Sequence, residues 1–140
     1  MQKFLFLEHT GDAKFRAYGA TLEEAFANAA LALVSLMWDA SKVADKKAYS
    51  VRIEGRDMEQ LLSGFLEEIL YLLDTKDFLL ACVEKVRITR GRKSCFLKAV
   101  FRGDEISSAY EIFGEVKAVT YNEMEIQENN GAEVQVVVDL

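Results

Sequence analysis

At 140 residues the chain has the length of one ordinary domain and is long enough to bury a core of its own. A net charge of -6 repels polyphosphate, so a broad electrostatic footprint on naked nucleic acid is excluded and any RNA is expected to arrive through a partner. Only four apolar residues separate Lys3 from Glu8, too few for a signal sequence or a membrane span, which points to the cytoplasm and away from membranes.

The chain opens with an apolar strand, Phe4 to Leu7, followed by an alternating one, Ala13 to Tyr18, in which Phe15 and Ala17 face away from Lys14 and Arg16. Thr21 with Glu24 three residues on is a capping signature. Leu22, Phe26, Ala29, Leu33 and Leu36 then recur at helical spacing through Trp38. The polar stretch Asp39 to Lys47 reads as a loop, and Tyr49 to Glu54 as a strand. A second amphipathic helix starts at Asp57, with Gln60 three residues on, and buries Leu61, Leu62, Phe65, Ile69 and Leu72 or Leu73 before Asp74. Strands dominate the second half: Val83 to Thr89, Ser94 to Arg102, Val116 to Ile126 and Val134 to Val138. Thr89-Arg90-Gly91-Arg92 and Asn129-Asn130-Gly131 have the chemistry of hairpin turns, since Gly and Asn tolerate positive φ. The expectation is one α+β domain over 1–140, with two amphipathic helices packed on a mostly antiparallel sheet, each strand turning one side to the core. Cys82 and Cys95 lack CxxC spacing and read as reduced packing residues rather than a disulfide or zinc pair.

Two stretches stand out chemically. Glu8-His9-Thr10-Gly11-Asp12 joins the first two strands and holds the only histidine. Thr10, Gly11 and Asp12 either simply form the turn or belong to a ligand cluster, in which case the carboxylate oxygens suit a hard cation such as Ca²⁺ or Mg²⁺. At the other end the strand Val134 to Val138 runs straight into Asp139 and Leu140. That is either an ordinary trimmed terminus or a place where a side-chain carboxylate and an α-carboxylate meet and need a cation between them. A turn centred on Asn130-Gly131 pairs Glu128 with Glu133 and sets Asp139 opposite Asn122 and Leu140 opposite Tyr121. On that register Lys117 lies about five residues further along, roughly 16 Å away unless a bulge shortens the path. The tip Arg90-Gly91-Arg92-Lys93 is basic but carries no aromatic residues to stack on bases, and no P-loop, dinucleotide fingerprint or nucleophile elbow occurs.

Taken together, Glu8-His9-Thr10-Gly11-Asp12, Lys117-Ala118-Val119-Thr120-Tyr121-Asn122 and the end Val136-Val137-Val138-Asp139-Leu140 resemble the archease family, as does the helix entry from Tyr18 to Phe26. The resemblance implies a non-catalytic accessory protein in tRNA splicing and RNA repair. It would activate the RNA ligase that joins a 3′-phosphate or cyclic-phosphate end to a 5′-hydroxyl, by promoting guanylylation of the ligase with GTP. GTP and RNA would then be met only through the ligase. It further implies a divalent cation, Ca²⁺ first with Mg²⁺ or Mn²⁺ next, bound by Asp12, Asp139 and the terminal carboxylate of Leu140, and a role for Lys117 in activation. The family usually starts its first motif with Asp and has Ala before the second Asp, where this chain has Glu8 and Gly11, and His is common where Asn122 stands. Those departures leave Asp12 and Asp139 intact. They argue against His9 and Asn122 as direct ligands and cast His9 as a residue that shapes the turn or supports a ligand from behind. Two other functions compete: a general chaperone or modulator of nucleic-acid enzymes, indifferent to Asp12, and a stand-alone metal-dependent hydrolase with His9 as base, for which one histidine and few ligands are poor provision.

Overall fold

A computed structural model of the protein describes residues 2–140. Its elements run β1 (Phe4–Leu7), β2 (Asp12–Gly19), α1 (Leu22–Ser35), β3 (Lys47–Gly55), α2 (Met58–Lys76), β4 (Phe78–Arg90), β5 (Cys95–Glu105), β6 (Ala118–Gln127) and β7 (Ala132–Asp139), with a short 3₁₀ turn at Ala40–Lys42. The single α+β domain expected from the sequence is observed, but its strands form two antiparallel sheets. One has the order β1-β2-β7-β6 and the other β3-β5-β4. Each helix touches strands of both sheets, and among the described residues no strand of one sheet lies against a strand of the other. The helices therefore form a middle layer.

That position explains why α1 is so uniformly apolar. Ala25, Phe26, Ala29, Ala30, Ala32, Leu33 and Val34 are all fully buried, and the run of small alanines lets a sheet approach from either side. Its start is fixed locally: Thr21 Oγ1 accepts from the Glu24 N–H at 3.2 Å, while the Glu24 carboxylate accepts from Ala20 N–H. Asp57 and Gln60 repeat the device on α2, with Gln60 N–H donating to Asp57 at 2.8 Å and Gln60 Oε1 accepting from Arg56 N–H at 2.7 Å. Phe65 on α2 packs against Phe26 on α1 and Phe101 on β5, with ring centroids 5.8 and 5.6 Å away, so one side chain ties the layers together.

Three strands depart from the expected pattern of one buried and one solvated side: β1, where Leu5 and Phe6 are both exposed, β4 and β7. β4 begins at Phe78 rather than Val83, because Phe78, Leu79 and Leu80 are all buried and show no alternation to read. In β7, Val134, Gln135, Val136, Val137 and Val138 are all buried: it is an inner strand whose second face is covered by polar side chains rather than water. Gln135 spends its amide there, accepting from Arg16 at 2.9 Å and donating to Glu125 at 2.8 Å. Cys82 pairs with Arg102 on β5 while Cys95 pairs with Arg90 on β4. The offset of seven positions is roughly 23 Å at the usual strand rise, far outside disulfide reach. Among the described residues, no helix is long and apolar enough to cross a membrane.

Candidate functional site

β2 and β7 run side by side in uninterrupted register, which sets Asp12 directly opposite Asp139. Opposed residues of an antiparallel pair leave the same face of the sheet, so both carboxylates stand on the side away from buried Ala13, Phe15 and Ala17. Like charges in that relation repel. Among the described residues, no lysine or arginine forms an ion pair with either; the basic group within 4 Å of Asp12 is His9, whose Nδ1 lies 3.8 Å from Asp12 Oδ2. Two oxygen-donating groups held together against their repulsion, with the chain end adjoining them, fit a hard cation by donor chemistry. As the side chains stand, no three His, Cys, Asp or Glu among the described residues enclose a metal ion, so further donors must come from the main chain or terminus, or from a change of rotamer.

The third strand of the site does not follow the register expected from its turn. Gln127, not Glu128, pairs with Glu133, and Glu125 pairs with Gln135. Residues 121–124 then bulge out opposite Val136 alone, and pairing resumes at Thr120 with Val137. Asp139 consequently faces Ala118, not Asn122, and Leu140 is not opposite Tyr121. Lys117 is beside the chain end instead of 16 Å away: its N–H donates to the Asp139 carbonyl at 2.8 Å, and its side chain is exposed. The bulge turns on Glu123, a non-glycine residue at φ 52°. Gln135 holds the Glu123 carbonyl at 2.8 Å, and Thr120 Oγ1 donates to the Val137 carbonyl at 2.8 Å and accepts from Asn122 N–H at 3.3 Å. Asn122 lies in the exposed bulge and is not the ladder partner of Asp139.

What the bulge brings in is Glu123, a position that no motif or periodicity singles out. Its carboxylate accepts from His9 Nε2 at 2.9 Å and from Lys14 Nζ at 3.0 Å. These bonds, His9 first and Lys14 second, hold its carboxyl below the usual carboxylate range. Lys14 is two residues beyond Asp12 and so on the same face of β2. His9 is thereby anchored from one side while Gly11, at φ 81°, lets the chain turn between it and Asp12. Its other ring nitrogen, Nδ1, is buried and has no hydrogen-bond partner among the described residues.

The rest of the frame comes from the middle layer. Glu67 of α2 accepts from Val119 N–H at 2.8 Å, pinning the start of β6. Upstream, the strap of residues 106–117 crosses the end of α1, where Phe113 N–H donates to the Met37 carbonyl at 2.9 Å. A Cβ at Gly114 would lie 2.1 Å from the Leu36 carbonyl oxygen, so only glycine lets the strap lie this close and deliver Lys117 to the site.

Residues 4–140 match the model of the Archease protein family (MTH1598/TM1083). A protein archease of Methanosarcina acetivorans is 41% identical over 143 residues, covering 99% of this chain and 97% of its own. The protein archease of Methanothermobacter thermautotrophicus is 40% identical, with all of both chains covered. The solution structure of Methanobacterium thermoautotrophicum protein 1598, 38% identical, superposes with a TM-score of 0.85 over the whole of both chains.

Proposed function

The chain belongs to the archease family, and from that premise we propose that it is a non-catalytic activator of an RNA ligase that joins 3′-phosphate or cyclic-phosphate ends to 5′-hydroxyls in tRNA splicing and repair. It promotes guanylylation of the ligase by GTP, in the cytoplasm. The observation that carries this reading is the unneutralised pair Asp12 and Asp139, facing each other beside the exposed Lys117. Asp12, Asp139 and the α-carboxylate of Leu140 would hold the cation, Ca²⁺ before Mg²⁺ or Mn²⁺. When bound, it offsets the charge of the GTP phosphates. Without it the same carboxylates repel GTP. Lys117 offers a second positive group to a phosphate oxygen, and His9 and Asn122 shape the surroundings from the turn and the bulge. The chain carries a single histidine and few other candidate ligands, poor provision for a stand-alone metal-dependent hydrolase.

The test adds substoichiometric protein to a ligase that stalls after one round, with GTP, RNA ends and divalent metal. Many rounds per ligase molecule are expected, Asp12→Ala should abolish the gain, and Lys46→Ala, at an exposed position remote from the site, should not. A chaperone reading draws on Leu5 and Phe6, exposed on the open edge strand β1. If Asp12→Ala activates fully while Phe6→Ser does not, that reading replaces the one proposed.

A further inference from the structure

The register of the β3-β5-β4 sheet lines up like charges. Lys98 of β5 is the ladder partner of Arg52 on β3 and of Arg87 on β4, so three cations stand in one row across the strands. Opposed residues share a face, and buried Leu97 and Ala99 on either side of Lys98 set that face away from the helices. Neighbouring strands are about 4.8 Å apart, which spreads the row over roughly 10 Å. All three side chains are exposed, and among the described residues none forms an ion pair. Of the nearby acids on this face, Glu84 is engaged by Arg102 at 3.4 Å and Glu54 pairs with no member of the row. Directly opposed like charges weaken a sheet unless an anion lies over them.

Phe96, two residues before Lys98 and so on the same face, is 40% exposed. Its ring reaches the β4–β5 tip, where a Cβ at Gly91 would lie 3.6 Å from Phe96 Cε2. The tip adds Arg92 and Lys93, both exposed. Read along the chain, that tip is basic without an aromatic residue; the sheet supplies one, between the tip and the row. An open depression of about 370 Å³, lined by Arg52, Glu54, Thr89, Phe96 and Lys98, lies over this region.

We propose that the outer face of the β3-β5-β4 sheet binds single-stranded RNA without regard to sequence, Arg52, Lys98 and Arg87 meeting backbone phosphates and Phe96 stacking under a base. Guanidinium and ammonium groups suit phosphate oxygens, and any base has a face to lay on an aromatic ring. An acidic protein segment would answer the charges but leave Phe96 without a use. The net charge of -6 argues against a broad footprint, not against a local one of this size. RNA is thus met directly and not only through a partner. The choice of RNA over DNA rests on the ligase reading above; the argument from charge and stacking does not. The helices lie between this sheet and the one that carries Asp12 and Asp139, so the two surfaces can be altered separately.

The experiment titrates the full chain into fluorescently labelled oligouridylate and follows anisotropy at several salt concentrations. The row alone predicts that the logarithm of the binding constant falls with the logarithm of salt at a slope of about -2, three phosphates at about -0.7 each. Lys98→Ala should flatten that slope by about 0.7. Phe96→Leu should weaken binding roughly 5- to 150-fold and leave the slope unchanged. Lys46→Ala, roughly 20 Å along the strand from Arg52, should alter neither. Circular dichroism melts establish that each variant is folded; if one is not, the salt slope of the unaltered protein and competition by polyglutamate decide. No binding at low salt, full binding by Phe96→Leu, or displacement by polyglutamate at equal charge overturns the proposal, the last assigning the face to an acidic protein. Tighter binding of the matching oligodeoxyuridylate overturns the choice of RNA. A chain that binds oligouridylate here but does not stimulate the ligase sinks the proposed function and leaves this face in place, and stimulation without binding does the reverse.

Discussion

Asp12 and Asp139 face each other across the β2–β7 ladder with no lysine or arginine paired to either among the described residues. Directly opposed like charges weaken a sheet, so Asp12→Asn should raise the stability of the metal-free protein by about 0.2–1 kcal/mol while removing ligase stimulation. Denaturant midpoints measured with and without a chelator check the sign. A variant that loses both stability and function would mark Asp12 as a structural residue instead. Glu123 shows how far a residue's role can sit from its sequence context. Nothing in Met124, Glu125 or Ile126 marks the position before them as special; a left-handed φ at a glutamate is what aims the carboxylate at His9 and Lys14.

Among the elements, the strap of residues 106–117 is the least regular, and isolated backbone bonds together with the Tyr110 side chain, rather than a ladder, hold it. Tyr110 O–H donates to Asp104 at 2.7 Å and accepts from Ala44 N–H at 3.1 Å, tying the strap to β5 and to the stretch before β3. The Tyr110 hydroxyl, with the Glu105 N–H after it, holds the Asp104 carboxyl below the usual carboxylate range; the same bond to Asp104 pushes the Tyr110 hydroxyl up. The signs are opposite. A lowered carboxyl stabilises the fold above its unfolded value of about 3.9 and loses that contribution as pH falls through the folded one. A raised phenol stabilises below its unfolded value of about 10 and loses it as pH rises through the folded one. Tyr110→Phe should therefore melt earlier than the unaltered protein at pH 7, with the difference narrowing towards pH 3 and again above pH 10. A gap independent of pH would mean that the bond to Asp104 contributes nothing.

At the scale of the whole molecule, the helices as a middle layer make the two sheets one cooperative body. Phe65 is the side chain at that junction, fully buried between Phe26 and Phe101. Phe65→Ala should cost about 3–5 kcal/mol, a large share of the 5–15 kcal/mol that usually separates folded from unfolded states. Fluorescence of the single tryptophan, Trp38, and far-ultraviolet circular dichroism should shift together, because Trp38 is buried under β4 with its Nε1 bonded to the Leu80 carbonyl at 2.9 Å. Separate transitions would mean that the sheets unfold independently.

What the sequence determined by itself was whatever depends on neighbours along the chain. Caps at Thr21 and Asp57, alternation in β2, and the positive φ of Asn130 and Gly131 at one hairpin tip are local physics, and those elements appear where the residues place them; the β4–β5 hairpin forms as well, but Gly91 at its tip does not take the positive φ expected of it. The motifs at Asp12 and Asp139 were visible for the same reason. Only the tertiary structure decided how strands were shared between two sheets, because a run such as Phe78 to Leu80, buried on both faces, carries no period to read. It alone also decided the register of β6. A bulge of residues 121–124 depends on a backbone angle at Glu123 and on bonds to Gln135 and Thr120 from elsewhere in the chain, so counting back from the turn carried Asn122 to the place that Ala118 and Lys117 occupy.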